Sequence, residues 1–252
     1  MLEFCNISAS CGTTPILNNI SVCFKKGEVT AVIGPNGCGK TTLLQCLNGS
    51  SKVTSGAILL EKTDYLAMPL KERARRVSFL PQVRTMIPSL PVKTLVEHGR
   101  FPHLGFARKK SETDIAIVND AMQFTCVDAY AEQYADTLSG GIRQRAFFAM
   151  TLAQDCDYIV LDEPATYLDL KGQRELAEMI LQLKNQGKTV ILVLHDLGQA
   201  LKISDTVVIM QDRKIAATAT PKECMQQHII EDIFDVRLKE FSDDEGHYYF
   251  FY

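Results

Sequence analysis

Residues 34–41, Gly34-Pro35-Asn36-Gly37-Cys38-Gly39-Lys40-Thr41, constrain this chain more than any other stretch. They fit the pattern G-x-x-x-x-G-K-[ST], a loop whose backbone N–H groups wrap around phosphate oxygens. Gly34, Gly37 and Gly39 let the backbone turn tightly and approach an anion closely. Lys40 is spaced to reach the outer phosphates, and Thr41 to ligate Mg²⁺. Such a loop follows a strand and opens a helix, which turns its positive end toward the same anion. Residues 28–33 form an apolar, β-rich run, and residues 41–48, with Thr42 in their first turn, read as helix. The expectation is a nucleotide site built from 34–42 inside an α/β fold.

The chain has 252 residues, enough for a large core in one domain or one domain with an insertion. With 46% hydrophobic and 23% charged residues it falls among ordinary globular proteins. A net charge of −3 supplies no global field for nucleic acid, so no nucleic-acid partner is expected. No apolar run approaches the ~18 residues that span a bilayer, and the first residues lack a signal-peptide pattern. The eight cysteines form no C-x-x-C pair, which argues against a zinc site or a disulfide framework and for reduced thiols. In that setting the Asn-x-Ser matches at Asn6, Asn19 and Asn48 carry no meaning.

Strands are expected at 2–8, 17–24, 28–33, 56–60 and 77–80, with a short helix at 69–75. From about residue 87 to 156 the pattern turns helical, at 92–98, 113–124 and 141–154. Strands return at 190–194 and 206–210, with a helix at 173–184 between the helical stretch and the first of them. Two extended runs around Ser242-Asp243-Asp244-Glu245-Gly246 read as a hairpin. This order predicts a single domain, in which an α/β core with a parallel sheet (1–86 and 157–252) is interrupted by a helical subdomain (87–156).

Tyr158-Ile159-Val160-Leu161-Asp162-Glu163-Pro164 is an apolar strand ending in two carboxylates. A strand buried on both faces of a parallel sheet has this composition, and ligands bind at the carboxyl ends of such strands. Asp162 is a hard oxygen ligand suited to Mg²⁺, and Glu163 is a candidate base for an attacking water. In Leu138-Ser139-Gly140-Gly141-Ile142-Arg143-Gln144-Arg145-Ala146, Ser139 can cap a helix that opens on two glycines. The bare N–H groups of Gly140 and Gly141 would face an anion.

Together these stretches resemble the ATPase subunit of ABC transporters over nearly the whole chain. Residues 138–146 resemble the signature motif, and 34–41 with 161–164 the two Walker motifs. Gln82 matches the Q-loop glutamine, Tyr167-Leu168-Asp169 the D-loop and His195 the switch histidine. The implied fold is a P-loop ATPase core with a parallel sheet, an N-terminal antiparallel β subdomain and the inserted helical subdomain. Residues 91–105, with His98-Gly99-Arg100-Phe101-Pro102-His103-Leu104-Gly105, resemble the ATPases of importers for ferric siderophores, haem and cobalamin. Two positions depart from the pattern. Cys11 stands where an adenine-stacking aromatic is usual, and Ile142 stands for the signature's usual glutamine. A thiol stacks poorly, and no pattern places Phe4 over a base.

The resemblance implies a head-to-tail dimer in which each ATP lies between one copy's phosphate loop and the Ser139, Gly140 and Gly141 of the other. Asp169 would join the nucleotide contacts, Thr41, Gln82 and Asp162 the Mg²⁺ site. Lys40, Glu163, His195 and Gln82 would be the catalytic set. Further partners would be a polytopic membrane permease, met through Gln82 and residues 83–106, and indirectly a substrate-binding protein. Arg84, Arg100 and Arg108 would sit in or beside that docking segment, and Arg108-Lys109-Lys110 would be solvated surface. The subunit would lie peripherally on the cytoplasmic face of the cell's inner membrane. The alternatives are a soluble ABC ATPase acting in DNA repair or translation, which usually carries long insertions, and a non-hydrolysing regulatory subunit, against which the intact Lys40, Asp162, Glu163 and His195 speak.

Overall fold

The computed structural model describes residues 1–82, 87–105, 109–243 and 246–252; for Cys11 and the strand residues between 242 and 248 it describes the backbone alone. By its internal packing the chain divides into two units, residues 1–68 with 183–252, and residues 69–182.

The first unit opens with β1 (Leu2–Cys11), β2 (Thr14–Phe24) and β3 (Val29–Ile33), then α1 (Lys40–Asn48), β4 (Lys52–Leu60) and β5 (Thr63–Asp64). The second unit holds α2 (Leu70–Arg76), β6 (Val77–Leu80), α3 (Val92–Glu97), α4 (Glu112–Phe124), α5 (Gly140–Ala153) and β7 (Tyr158–Asp162), and ends within α6 (Leu170–Asn185). Back in the first unit run β8 (Thr189–Val193), α7 (Leu197–Ile203), β9 (Thr206–Gln211), β10 (Lys214–Ala219), α8 (Pro221–Gln226), α9 (Ile229–Phe234), β11 (Leu238–Asp243) and β12 (Gly246–Phe251).

In the first unit β2, β1, β4 and β5 form an antiparallel sheet in that order. A second set of strands runs β10-β9-β3-β8, with β3 parallel to both β8 and β9. All five residues of β3 and of β8 are buried, as parallel strands covered on both faces must be. α1 buries Leu43, Leu44, Cys46 and Leu47. The hairpin expected near the end of the chain is β11 paired antiparallel with β12, although residues 244 and 245 lie outside the described set. It packs on α7 so closely that a Cβ added to Gly198 would lie 2.9 Å from the Tyr249 carbonyl oxygen.

In the second unit β6 pairs parallel with β7, Val77 opposite Tyr158 and Leu80 opposite Leu161. α4 is entered through a reciprocal box in which Ser111 accepts from the Asp114 N–H and Asp114 accepts from that of Ser111. The Ser111 cap starts α4 at Glu112, close to the expected 113.

β4 begins at Lys52 rather than at Gly56, where the sequence pattern starts it. Gly56 has φ 85° and stands where the β1–β4 register shifts between Cys5 and Ser8. A Cβ there would be 2.4 Å from the Asn6 carbonyl oxygen, so this glycine marks a close approach inside the strand, not its edge.

Candidate functional site

The phosphate loop joins β3 to α1. Gly34 is required by sterics and Gly39 by its left-handed backbone. A Cβ on Gly34 would meet the Met210 carbonyl oxygen at 2.2 Å, and Gly39, with φ 106°, would meet Leu17 Cδ2 at 2.8 Å. Cys38 is 5% exposed, and burial pushes its thiol above the ordinary cysteine value. Lys40 is also buried, and its Nζ donates to the carbonyl oxygens of Gly34 (2.8 Å) and Pro35 (3.0 Å). The loop's own backbone thus holds the ammonium at its rim. Asn36 and Gly37 are exposed, and Thr41 and Thr42 are half-buried at the start of α1.

The parallel register carries His195 to the same edge. Val32 pairs with Val193, and the Leu194 N–H donates to the Val32 carbonyl. His195 therefore emerges, exposed, beside the residues that lead from β3 into the loop. Asp196 accepts from the Gln199 N–H at 2.8 Å and starts α7 directly behind it.

In the second unit, β6 and β7 place Gln82 and the Asp162–Glu163 pair at one carboxyl edge. Asp162 is 1% exposed, while Glu163 is half-buried. Glu163 has φ 50°, a left-handed conformation that costs a non-glycine residue about 1 kcal/mol. Gln144, buried on α5, donates its side-chain N–H to the Pro164 carbonyl at 2.9 Å and pins the turn directly after Glu163. The sequence reading overlooked Gln144. Its signal is a polar amide buried among Ala146, Phe147 and Phe148.

Ser139 caps α5 as its sequence suggests, accepting from the Ile142 N–H at 3.5 Å. Gly140 faces the turn after β7, where an added Cβ would lie 3.3 Å from Tyr167 Cβ. Ser139, Gly140 and Gly141 line an open groove of about 580 Å³ together with Tyr167, Leu168 and Asp169. Asp169 is also a helix cap, its Oδ1 accepting from the Gly172 N–H at 2.8 Å.

Each unit therefore gathers its own share of the predicted residues. The first holds the loop and His195, the second Gln82, Asp162, Glu163 and the groove. Taken unit by unit, the chemistry suits ATP with a hard cation: the first unit offers the loop's ammonium and backbone amides with the Thr41 hydroxyl, and the second offers the Asp162 carboxylate. Among the described residues no cluster of three or more His, Cys, Asp or Glu could hold a metal by itself.

The other residues singled out in the sequence fall in several places. Phe4 is 2% exposed and packs edge-on to Phe24, with centroids 5.8 Å apart, so it is a core residue. The side chain of Cys11 lies outside the described residues. Arg100, expected in or beside the docking segment, is buried: it is 5% exposed and donates to Asp114 Oδ1 at 2.9 Å and to the Ala153 carbonyl at 2.9 Å. Lys110 pairs with Glu97. Residues 83–86 and 106–108, with Arg84 and Arg108, lie outside the described set.

The ABC transporter family model matches residues 17–166. The petrobactin import ATP-binding protein FpuD of Bacillus anthracis is 39% identical over 243 residues, which cover 96% of this chain and 89% of that protein. The ferric enterobactin transport ATP-binding protein FepC of Escherichia coli is 38% identical over 233 residues, 92% of this chain and 86% of that protein. A solved ABC transporter chain, described as of metal-chelate type and inward-facing, superposes with a TM-score of 0.83 over 100% of this chain and 96% of its own. Its identity of 23% makes that a likeness of fold. A family match over more than half of the chain, with relatives this similar along nearly all of it, places the protein in the ABC transporter family as an ATP-binding subunit that hydrolyses ATP to drive transport.

Proposed function

We propose that this subunit energises the import of a metal chelate, a ferric siderophore, haem or a related complex. The observation that carries the reading is the similarity along nearly the whole chain to proteins named for petrobactin import and ferric enterobactin transport. It works as two copies on a polytopic permease, peripheral to the cytoplasmic face of the membrane, with a substrate-binding protein delivering the chelate. Among the described residues no helix is long and apolar enough to cross a membrane, which agrees with a separate permease. Residues 87–156 act as the helical subdomain that meets it.

In this reading Lys40 and the amides of the 34–42 loop hold the β- and γ-phosphates. Thr41 and Asp162, with Gln82 nearby, hold Mg²⁺, which when bound offsets the negative charge of the transferring phosphoryl group. Glu163 orients the attacking water and takes its proton. His195 holds the γ-phosphate and responds to its loss. Ser139, Gly140 and Gly141 of the second copy close the site, with Asp169 at its border. These contributions are positioning and charge stabilisation, which dominate phosphoryl transfer.

The test is uptake. Vesicles holding this chain with the permease of its own operon, supplied with ⁵⁵Fe-labelled siderophore or haem, should accumulate label only with ATP. ATP hydrolysis without uptake of any ferric chelate would overturn the substrate class.

A further inference from the structure

The carboxyl end of α5 is held in an unusual way. The last carbonyls of a helix have no partner inside it. Here Ala153 accepts from Arg100 Nη1 at 2.9 Å, and Gln154 accepts from His103 Nε2 at 2.8 Å. A carbonyl only accepts, so this contact assigns the ring proton to Nε2. The Gln154 amide in turn donates to the carbonyls of Val77 (3.2 Å) and Ala74, at the junction of α2 and β6. The segment that caps α5 is also seated on it: a Cβ on Gly99 would lie 2.3 Å from the Met150 carbonyl oxygen. That segment is a tight turn at 98–105, which presents Phe101, 52% exposed, to the outside.

We propose that Arg100, His103 and Gln154 form a clamp by which the 98–105 turn sets the position of α5, and so of Ser139, Gly140 and Gly141 at its opposite end. The helix of 14 residues spans about 21 Å and moves as a stiff rod. A turn bonded to its last two carbonyls, and in backbone contact one turn earlier, therefore fixes where its first residues stand. The clamp rests on the proposed reading, in which those first residues serve the ATP of a second copy and the turn lies in the permease-facing segment. His103 and Gln154 are positioning residues, since neither touches nucleotide.

Arg100 is a poor probe, because its loss strands the buried Asp114 carboxylate. His103 is half-buried and gives a cleaner test. We would measure ATP hydrolysis, ATP affinity and thermal midpoint for the full chain and for His103→Ala, His103→Gln and Ser139→Arg. His103→Ala should lower kcat ~10-fold or more, since small misplacements of a catalytic group have large rate effects. Its ATP affinity should stay within about twofold, and its midpoint within the ~4 °C expected from one lost hydrogen bond. His103→Gln, which can restore an N–H donor, should recover most of kcat. Unchanged kcat in His103→Ala overturns the clamp. So does a fall in kcat that tracks the midpoint and is not recovered by Gln. Loss of activity in Ser139→Arg beside an intact His103→Ala sinks the clamp alone. Retention in both sinks the shared-site reading with it.

Discussion

Glu163 stands at the end of a fully buried strand with a left-handed backbone, and a buried amide grips the next carbonyl. Such a conformation persists only where its surroundings over-determine it, and here it belongs to a half-buried carboxylate directly after the strand end. Glu163→Gln keeps the shape of the side chain but replaces a basic acceptor oxygen by an N–H donor. Phosphate release should fall ~10²-fold or more, while titration with ATP should give an affinity close to wild type. Near-normal release would take the water-activating role away from Glu163. At this scale the phosphate loop was readable in advance because its chemistry is packed into eight consecutive residues. Arg100 was not. Its partners Asp114 and Ala153 lie 14 and 53 residues away, and nothing local separates a buried arginine from a solvated one.

Among the elements, α4 shows how a cap becomes part of the core. Asp114 closes the box with Ser111, and its other oxygen accepts from Arg100. The hydrogen bonds from Ser111 first, and then Arg100, hold its carboxyl at about 2, against an ordinary 3.8. The folded chain therefore takes up this proton less readily than the unfolded one. The stabilisation is complete above about pH 4 and is lost as the pH falls toward 2. Asp114→Asn should unfold at lower urea than wild type at pH 6, and the gap between them should narrow from pH 4 to pH 2. A constant gap would mean that the carboxylate's charge is not what matters. α4 was legible from its helical pattern alone, and α5 from that pattern together with Ser139 as its cap. The seven-residue α7 was not: no helix was expected between the strands at 190–194 and 206–210, where Asp196 caps one. β4 was shortened for the opposite reason, because the glycine taken as its start is a close contact within it.

For the molecule as a whole, the surface beside the groove is the part that asks for a second copy. Tyr167 is 71% exposed and Leu170 is 85% exposed, on either side of Leu168 and Asp169. We propose that these open side chains, which flank a residue pair lining the groove beside the Ser139-capped start of α5, are covered by that copy. In the slow-hydrolysing Glu163→Gln background, ATP should drive dimerisation visible by light scattering. Adding Leu170→Asp should weaken that dimer about tenfold or more, since it buries a charge at the contact. A dimer indifferent to Leu170→Asp would place the interface elsewhere.

The contact between Gly198 and the Tyr249 carbonyl also yields a criterion for sorting related sequences. A chain that keeps β12 at this distance cannot carry a side chain at the position of Gly198. Drift there is coupled to the fate of the hairpin, because even alanine would push β12 outward. Homologues with glycine at that position can keep β12 at this distance, and those with a larger residue need it to shift by at least a few tenths of an ångström. One position, three residues after His195, thus reports on how tightly the hairpin can seat on α7.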